Sequence, residues 1–296
     1  MKYKRFCLSK PLFYIIKRTV KKMLLLAVVL QSAILFSQKN IKVYHEKKGD
    51  TLSLYIDNKE VYPMSLVFSG FPEVENMRTP EIFKVTQVIP AQSSKNKITY
   101  FVIDDRTKGW RVKKVPDYMM YIGDVTLKNY DKEYKYDLPF KKGKSFSIYQ
   151  GYNGNFSHQN ENSLDFTMPE GTEVVAAREG IVTDFINTNS KGCAIRNCID
   201  QANYITILHP DGTFAQYYHL KQNGVKVNIG DQVRKGDVIG LSGNTGWSKG
   251  PHLHFVCYLP RVEKDKYRET VRTLFKTGNG SKTEYLAEKK TYSKEY

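Results

Sequence analysis

Five of the six histidines lie between residues 158 and 254, and their spacing is where chemistry can be read. His252-Leu253-His254 sits in Pro251-His252-Leu253-His254-Phe255-Val256, an apolar and β-branched context that reads as a strand. A strand alternates its side chains, so His252 and His254 share one face and Leu253 takes the other. Two imidazoles on one face suit a metal site, and they equally suit a polar strand face; the pattern alone leaves both open. His158 and Asp165 are two further candidate ligands. Asp165 stands between Leu164 and Phe166. A carboxylate in such an apolar setting needs a positive partner, and a zinc ion provides one. His219 ends Gln216-Tyr217-Tyr218-His219-Leu220. His209 precedes the Pro210-Asp211-Gly212 turn and reads as structural, and His45, far from any second ligand, reads as a surface residue.

The elements that must position these residues read as strands throughout, so the fold class is all-β. Residues 39 to about 138 are rich in Tyr, Val, Ile, Thr and Lys in short alternating runs such as Thr51 to Ile56 and Ile98 to Ile103. Turn signals punctuate them at sandwich spacing, and no long stretch has helical periodicity. A break follows at Leu138-Pro139-Phe140-Lys141-Lys142-Gly143-Lys144, after which glycine becomes frequent. Tyr204 to Leu208, the Pro210-Asp211-Gly212 turn and Thr213 to His219 read as a hairpin. The expected division is a leader over 1–37, a β-sandwich-like domain over 38–138, a second antiparallel domain over 139–278 and a polar tail over 279–296.

Four motifs of the second domain resemble the lysostaphin/LytM-type zinc metallopeptidases. They are His158 with Asp165-Phe166 through Val182, Tyr217-Tyr218-His219-Leu220, Gly243-Asn244-Thr245-Gly246, and Pro251-His252-Leu253-His254-Phe255, in the family's order. The resemblance implies an antiparallel β-sheet forming a narrow groove with one zinc ion at its floor. It places the zinc ligands on His158, Asp165 and His254, and two catalytic histidines on His219 and His252. One departure is plain: six residues separate His158 from Asp165, where the family's commoner form has three, although a longer form also occurs. The Cys193/Cys198 segment reads as an insertion beside the catalytic hairpin. Three protein ligands leave zinc's fourth position for water, which marks a catalytic site. The implied activity is hydrolysis of the peptide cross-bridges of bacterial peptidoglycan. The competing reading is a silent domain of the same fold that binds the wall or activates a separate hydrolase.

Composition agrees with an exported, folded chain. A hydrophobic share of 41% over 296 residues excludes wholesale disorder. The net charge of +16 suggests nucleic acid, but the first 37 residues hold eight basic and no acidic residues. Without them, 38 basic residues face 30 acidic ones, spread along the chain, with no basic and aromatic cluster for a nucleic-acid groove. Met23 to Phe36 is an apolar run too short to span a bilayer, preceded by Lys21-Lys22. It reads as the core of a secretory signal, with an uncleaved anchor as the alternative. The expected location is therefore periplasmic or extracellular, with no stable membrane insertion once the signal is cleaved; oligomeric state is not legible. In an oxidising compartment Cys193 and Cys198 read as a short-looped disulfide, with a metal pair as the competing reading, and Cys257 as a buried thiol.

Overall fold

The computed structural model describes residues 40–79, 81–263 and 266–296. The expected secretory signal lies outside the described residues. Nearly every element is a strand, and among the described residues no helix is long and apolar enough to cross a membrane. Two compact units emerge, one of residues 40–60 and 65–120, the other of 61–64 and 121–296.

In the first unit, β1 (Ile41–Lys48) and β2 (Thr51–Asn58) form an antiparallel hairpin. Further along come β3 (Met64–Phe68), β4 (Thr86–Ile89), β5 (Ser93–Ile103) and β6 (Tyr118–Ile122). β2 pairs with β5 in one sheet, while β3 lies between β4 and β6 in another. Ile56 and Ile98 from the first sheet meet Leu66, Phe68 and Ile89 from the second in a shared core. The alternation of these apolar residues along each strand is what turns them inward. His45 is exposed on β1.

The second unit is built on a curled antiparallel sheet. Its strands are β7 (Lys144–Gln150), β8 (Ser163–Phe166), β9 (Gly180–Ile186), β10 (Tyr204–Leu208), β11 (Phe214–Tyr218), β12 (Gln232–Val233), β13 (Leu253–Glu263), β14 (Lys266–Val271) and β15 (Thr291–Lys294). Their order is β12-β9-β10-β11-β13-β8-β7-β15, with β14 beside β13. The β10–β11 hairpin forms around the 210–212 turn as its sequence leads one to expect. β13 shows how alternation divides the sheet. Leu253, Phe255, Cys257 and Leu259 enter the main core with Leu164, Phe166 and Tyr217, while His254 and Val256 face the other side. Cys257 is a buried free thiol, as expected, and burial pushes its pKa up to about 11.

Two segments differ from the sequence reading. Residues 121–138, expected to close the first domain, belong to the second unit: Tyr136 and Leu138 are buried in its core, and Tyr130 and Tyr134 pack against it. The Arg178 guanidinium lies 3.8 Å from the Tyr134 ring centroid and pairs with Asp211 at 2.8 Å, so these tyrosines grip a charge from the later domain. Residues 279–296, expected as a polar tail, contain β15, which pairs with β7 from Lys144↔Lys294 to Ser147↔Thr291. The segment looks polar because few of its side chains do the burying: Leu286 and Tyr292 lie in the core, and the Tyr292 hydroxyl accepts a bond from the Ala287 amide at 2.9 Å. Truncating Tyr292 to Ala should therefore destabilise the protein by about 3–5 kcal/mol, the usual cost of emptying a buried aromatic position. Urea unfolding of the two proteins measures it, and a loss below 1 kcal/mol would return the segment to the status of a tail.

Candidate metal centre

Strand register assembles the centre. Gln150 on β7 lies opposite Asp165 on β8, Asp165 opposite His254 on β13, and His254 opposite Tyr218 at the end of β11. One row across four strands thus carries the carboxylate and one imidazole, and the residue after Tyr218 is His219. His158 arrives from the loop between β7 and β8. Its Nδ1 donates to the Gly151 carbonyl at 2.9 Å, so Nε2 turns inward towards the other two residues. That Nε2 lies 3.2 Å from Asp165 Oδ1 and 3.2 Å from His254 Nδ1, and His254 Nδ1 lies 2.9 Å from the same Oδ1.

These three ligand atoms fall within 4.8 Å of one another, with His158 and Asp165 buried. Burial by itself would raise the pKa of Asp165, but hydrogen bonds from His158 and His254 hold it well below the ordinary carboxylate range. Burial pulls His158 down, and the Asp165 hydrogen bond and charge overcome it, raising its pKa; for His254 burial dominates and the pKa falls. Two imidazoles and one buried carboxylate aimed at a common point are a donor set that fits zinc, and a cation there satisfies three groups that otherwise compete for protons.

His219 and His252 flank this trio. Their ring centroids are 4.5 Å apart, and the His219 centroid is 5.9 Å from that of His254. His219 has φ of 64°, a left-handed conformation uncommon outside glycine, which turns the chain sharply after β11. Its Nδ1 donates to the Thr245 carbonyl at 2.7 Å, leaving Nε2 free. Desolvation, with His252 and His254 alongside, lowers its pKa to about 3, so it is a neutral base at physiological pH. His252 is in an isolated bridge with Gly243, just before β13, and its Nδ1 donates to the Gly250 carbonyl at 2.8 Å. Its Nε2 stands 3.8 Å from Asp165 Oδ1.

Asp165, His219, His252 and His254 line one groove with Tyr149, Phe156, Trp247, Lys249 and Pro251, and His158, fully buried, reaches the same centre from behind them. Phe156 and Trp247 stand 5.6 Å apart, and the Lys249 ammonium caps the Phe156 ring at 3.8 Å. Cys193 and Cys198 form a disulfide. The segment it closes supports the groove wall: Cys193 pairs with Trp247 in a parallel bridge, Trp247 Nε1 donates to the Ala194 carbonyl at 3.1 Å, and the Ser248 amide donates to the Cys193 carbonyl at 3.0 Å. Of the residues in the long gap, Glu161 and Asn162 anchor the loop: Glu161 pairs with Arg268 at 3.2 Å, and the Asn162 side chain donates to the Thr270 carbonyl at 2.8 Å; Asn160 is exposed. Sequence reasoning missed Gln150, whose amide bonds Asp165; nothing in its local sequence signals a partner fifteen positions away.

His209 lies outside the centre, as its turn context suggests. Its Nδ1 donates to the Glu179 carbonyl at 2.7 Å, while Nε2 is buried without a partner. Burial, with Arg178 nearby, lowers its pKa from 6.5 to about 4. The unfolded chain therefore binds this proton more readily than the native one. Stability is full above pH 6.5, falls as pH drops from there towards 4, and levels off below that as far as this residue is concerned. The loss amounts to about 3 kcal/mol at 1.36 kcal/mol per unit. His209→Gln should remove that part of the slope between pH 6.5 and 4 in denaturant titrations, and an unchanged slope would show that His209 is not its source.

Residues 159–267 match the model of peptidase family M23, a stretch that includes Asp165, His219, His252 and His254 and begins one residue after His158. An uncharacterised metalloprotease of Buchnera aphidicola is 38% identical over 123 residues, 41% of this chain and 29% of that protein. The glycyl-glycine endopeptidase ALE-1 of Staphylococcus capitis is 35% identical over 144 residues, 48% of this chain and 36% of that protein. The peptidoglycan DD-endopeptidase ShyA of Vibrio cholerae is 38% identical over 94 residues, 32% of this chain and 19% of that protein. The chain thus covers less than two fifths of the length of each, and the likeness is one of a domain. Residues 159–267 carry a peptidase family M23 domain of the lysostaphin/LytM kind.

Proposed function

We propose that this protein is an exported zinc metalloendopeptidase that hydrolyses the peptide cross-bridges of bacterial peptidoglycan. The observation that carries this reading is the convergence of His158, Asp165 and His254 on one point beside two separately oriented histidines. In this reading those three residues hold the ion. Zinc bound there supplies a Lewis acid for the peptide carbonyl and a water made acidic enough to ionise near neutral pH. His219 and His252 do the proton work. Each has its Nδ1 proton committed to a backbone carbonyl, so each offers Nε2 to the groove as an acceptor, and each can return that proton to the leaving amine.

Relatives that are a glycyl-glycine endopeptidase and a peptidoglycan DD-endopeptidase support the substrate class. Export is supported by the basic-then-apolar start of the chain and by the Cys193–Cys198 disulfide, a bond that persists in oxidising compartments.

Replacing Asp165, His254 or His158 with Ala should lower metal content and wall hydrolysis together. Replacing His219 or His252 with Ala should leave zinc bound and lower hydrolysis by about 10²–10⁴-fold. Elemental analysis of the purified variants, with mass spectrometry of fragments from digested wall, reads both quantities. A folded His252→Ala protein that lost zinc as completely as His254→Ala would overturn the division of roles. Zinc-loaded wild-type protein that bound wall without releasing fragments would favour the silent wall-binding reading.

A further inference from the structure

The six residues between His158 and Asp165 leave the first ligand on a long loop, and something must hold that loop to the sheet. Gln150, the last residue of β7, is buried, with 4% of its surface exposed. Its amide uses every hydrogen-bonding position it has. Oε1 accepts from the amides of Phe156 and Ser157, both at 3.1 Å, and Nε2 donates to Ser157 Oγ at 2.7 Å and to Asp165 Oδ2 at 3.3 Å. Two backbone N–H groups can face only an acceptor, so they fix which end of the amide is oxygen and direct the donor end at the carboxylate.

The loop closes tightly around this side chain. A Cβ at Gly154 would sit 2.5 Å from Gln150 Cγ, so residues 151–157 wrap the amide only because position 154 has no side chain. The loop then delivers His158, whose Nδ1 returns to the carbonyl of Gly151, the residue after Gln150. Positions 150 and 151 thus grip the far end of the loop twice: the Gln150 side chain holds Ser157, and the Gly151 backbone holds the His158 ring.

We propose that Gln150 is a positioning residue for the metal centre, one amide that fixes both the loop presenting His158 and the outer oxygen of Asp165. The proposal rests on reading His158, Asp165 and His254 as ligands, and it concerns metal affinity rather than wall cleavage. Ligands aligned by such outer hydrogen bonds commonly lose 10–100-fold in affinity when the bonds are removed. A residue that served only general stability would instead lower the unfolding midpoint and leave the affinity of the folded protein unchanged.

The test measures zinc dissociation constants of the folded protein by competition with a chromophoric chelator, together with the absorption spectrum of the cobalt-substituted form. Gln150→Leu should bind zinc about 10–100-fold more weakly and shift the cobalt spectrum. In a His158→Ala background the same change should cost less, because only the contact with Asp165 is left to lose. Unchanged zinc affinity in Gln150→Leu, or an equal loss in both backgrounds, would overturn the proposal. Should Gln150→Leu fail to fold, Ser157→Ala and Gly154→Ala carry the same test: each should weaken zinc binding several-fold, and wild-type affinity in both would be equally decisive against it. Wild-type protein that binds zinc tightly yet leaves wall intact would sink the proposed activity while leaving this inference standing.

Discussion

The structure of the second unit depends on a buried carboxylate. Asp165 sits in the middle of a sheet between Leu164 and Phe166, with 4% of its surface exposed, and the imidazoles beside it lower its pKa and so favour the charged form. A lone charge in such a place costs several kcal/mol, so the position is stable only if partners surround it. The sheet supplies them by register: His254 from β13 on one side and Gln150 from β7 on the other. His158 completes the set from a loop. Each partner is a polar group that would be costly without the others, which is why the row is all or nothing. The same requirement makes the site attractive to a cation, because the groups already converge before any ion arrives.

The parts of this arrangement that were legible in the sequence are those governed by local rules. The His252-Leu253-His254 alternation follows from the two-residue period of a strand, and the β10–β11 hairpin follows from its turn. The Cys193–Cys198 bridge needs only a short loop. What escaped was set by pairing between distant segments. Gln150 looks like any polar strand end until the register of β7 against β8 places it opposite Asp165. Residues 291–294 look like tail because Thr, Ser and Lys alternate with a single tyrosine, yet edge pairing with β7 asks only for backbone groups and one anchor such as Tyr292. Tyr134 and Tyr136 read as strand formers of the first domain; their partner, Arg178, is more than forty positions away.

The two sides of the groove are held by unlike means. On the His158 side, a side-chain amide and a C-terminal strand brace the loop: the Gly151 amide donates to Glu288 Oε2 at 3.3 Å, just outside β15. On the His252 side the brace is covalent. The disulfide closes the segment that pairs with Gly246 and Trp247, and Gly192 is required there because a Cβ would sit 1.7 Å from the Asn244 carbonyl oxygen. Trp247 and Ser248, two neighbours on the stretch that segment pairs with, then serve different ends. The tryptophan forms wall against Phe156, and the serine hydroxyl reaches His252 Nδ1 at 3.2 Å. Groove wall and imidazole orientation are thereby tied to one short stretch of chain.

The proposed separation of roles between His252 and His254 rests on the same geometry. Two residues along a strand advance the chain by about 6–7 Å, so side chains on a common face cannot both stand over one point on the neighbouring strand. His254 is the residue in register with Asp165, and its Nδ1 reaches Oδ1 at 2.9 Å. His252 is one step beyond the end of β13, bridged to Gly243, and its Nε2 stops at 3.8 Å from the same oxygen. Its other nitrogen is turned away by Gly250, and its ring lies nearer to His219 than His219 lies to His254. In the proposed assignment, one pair of residues on one face gives a ligand and a proton carrier, because only one of the two is opposite the carboxylate.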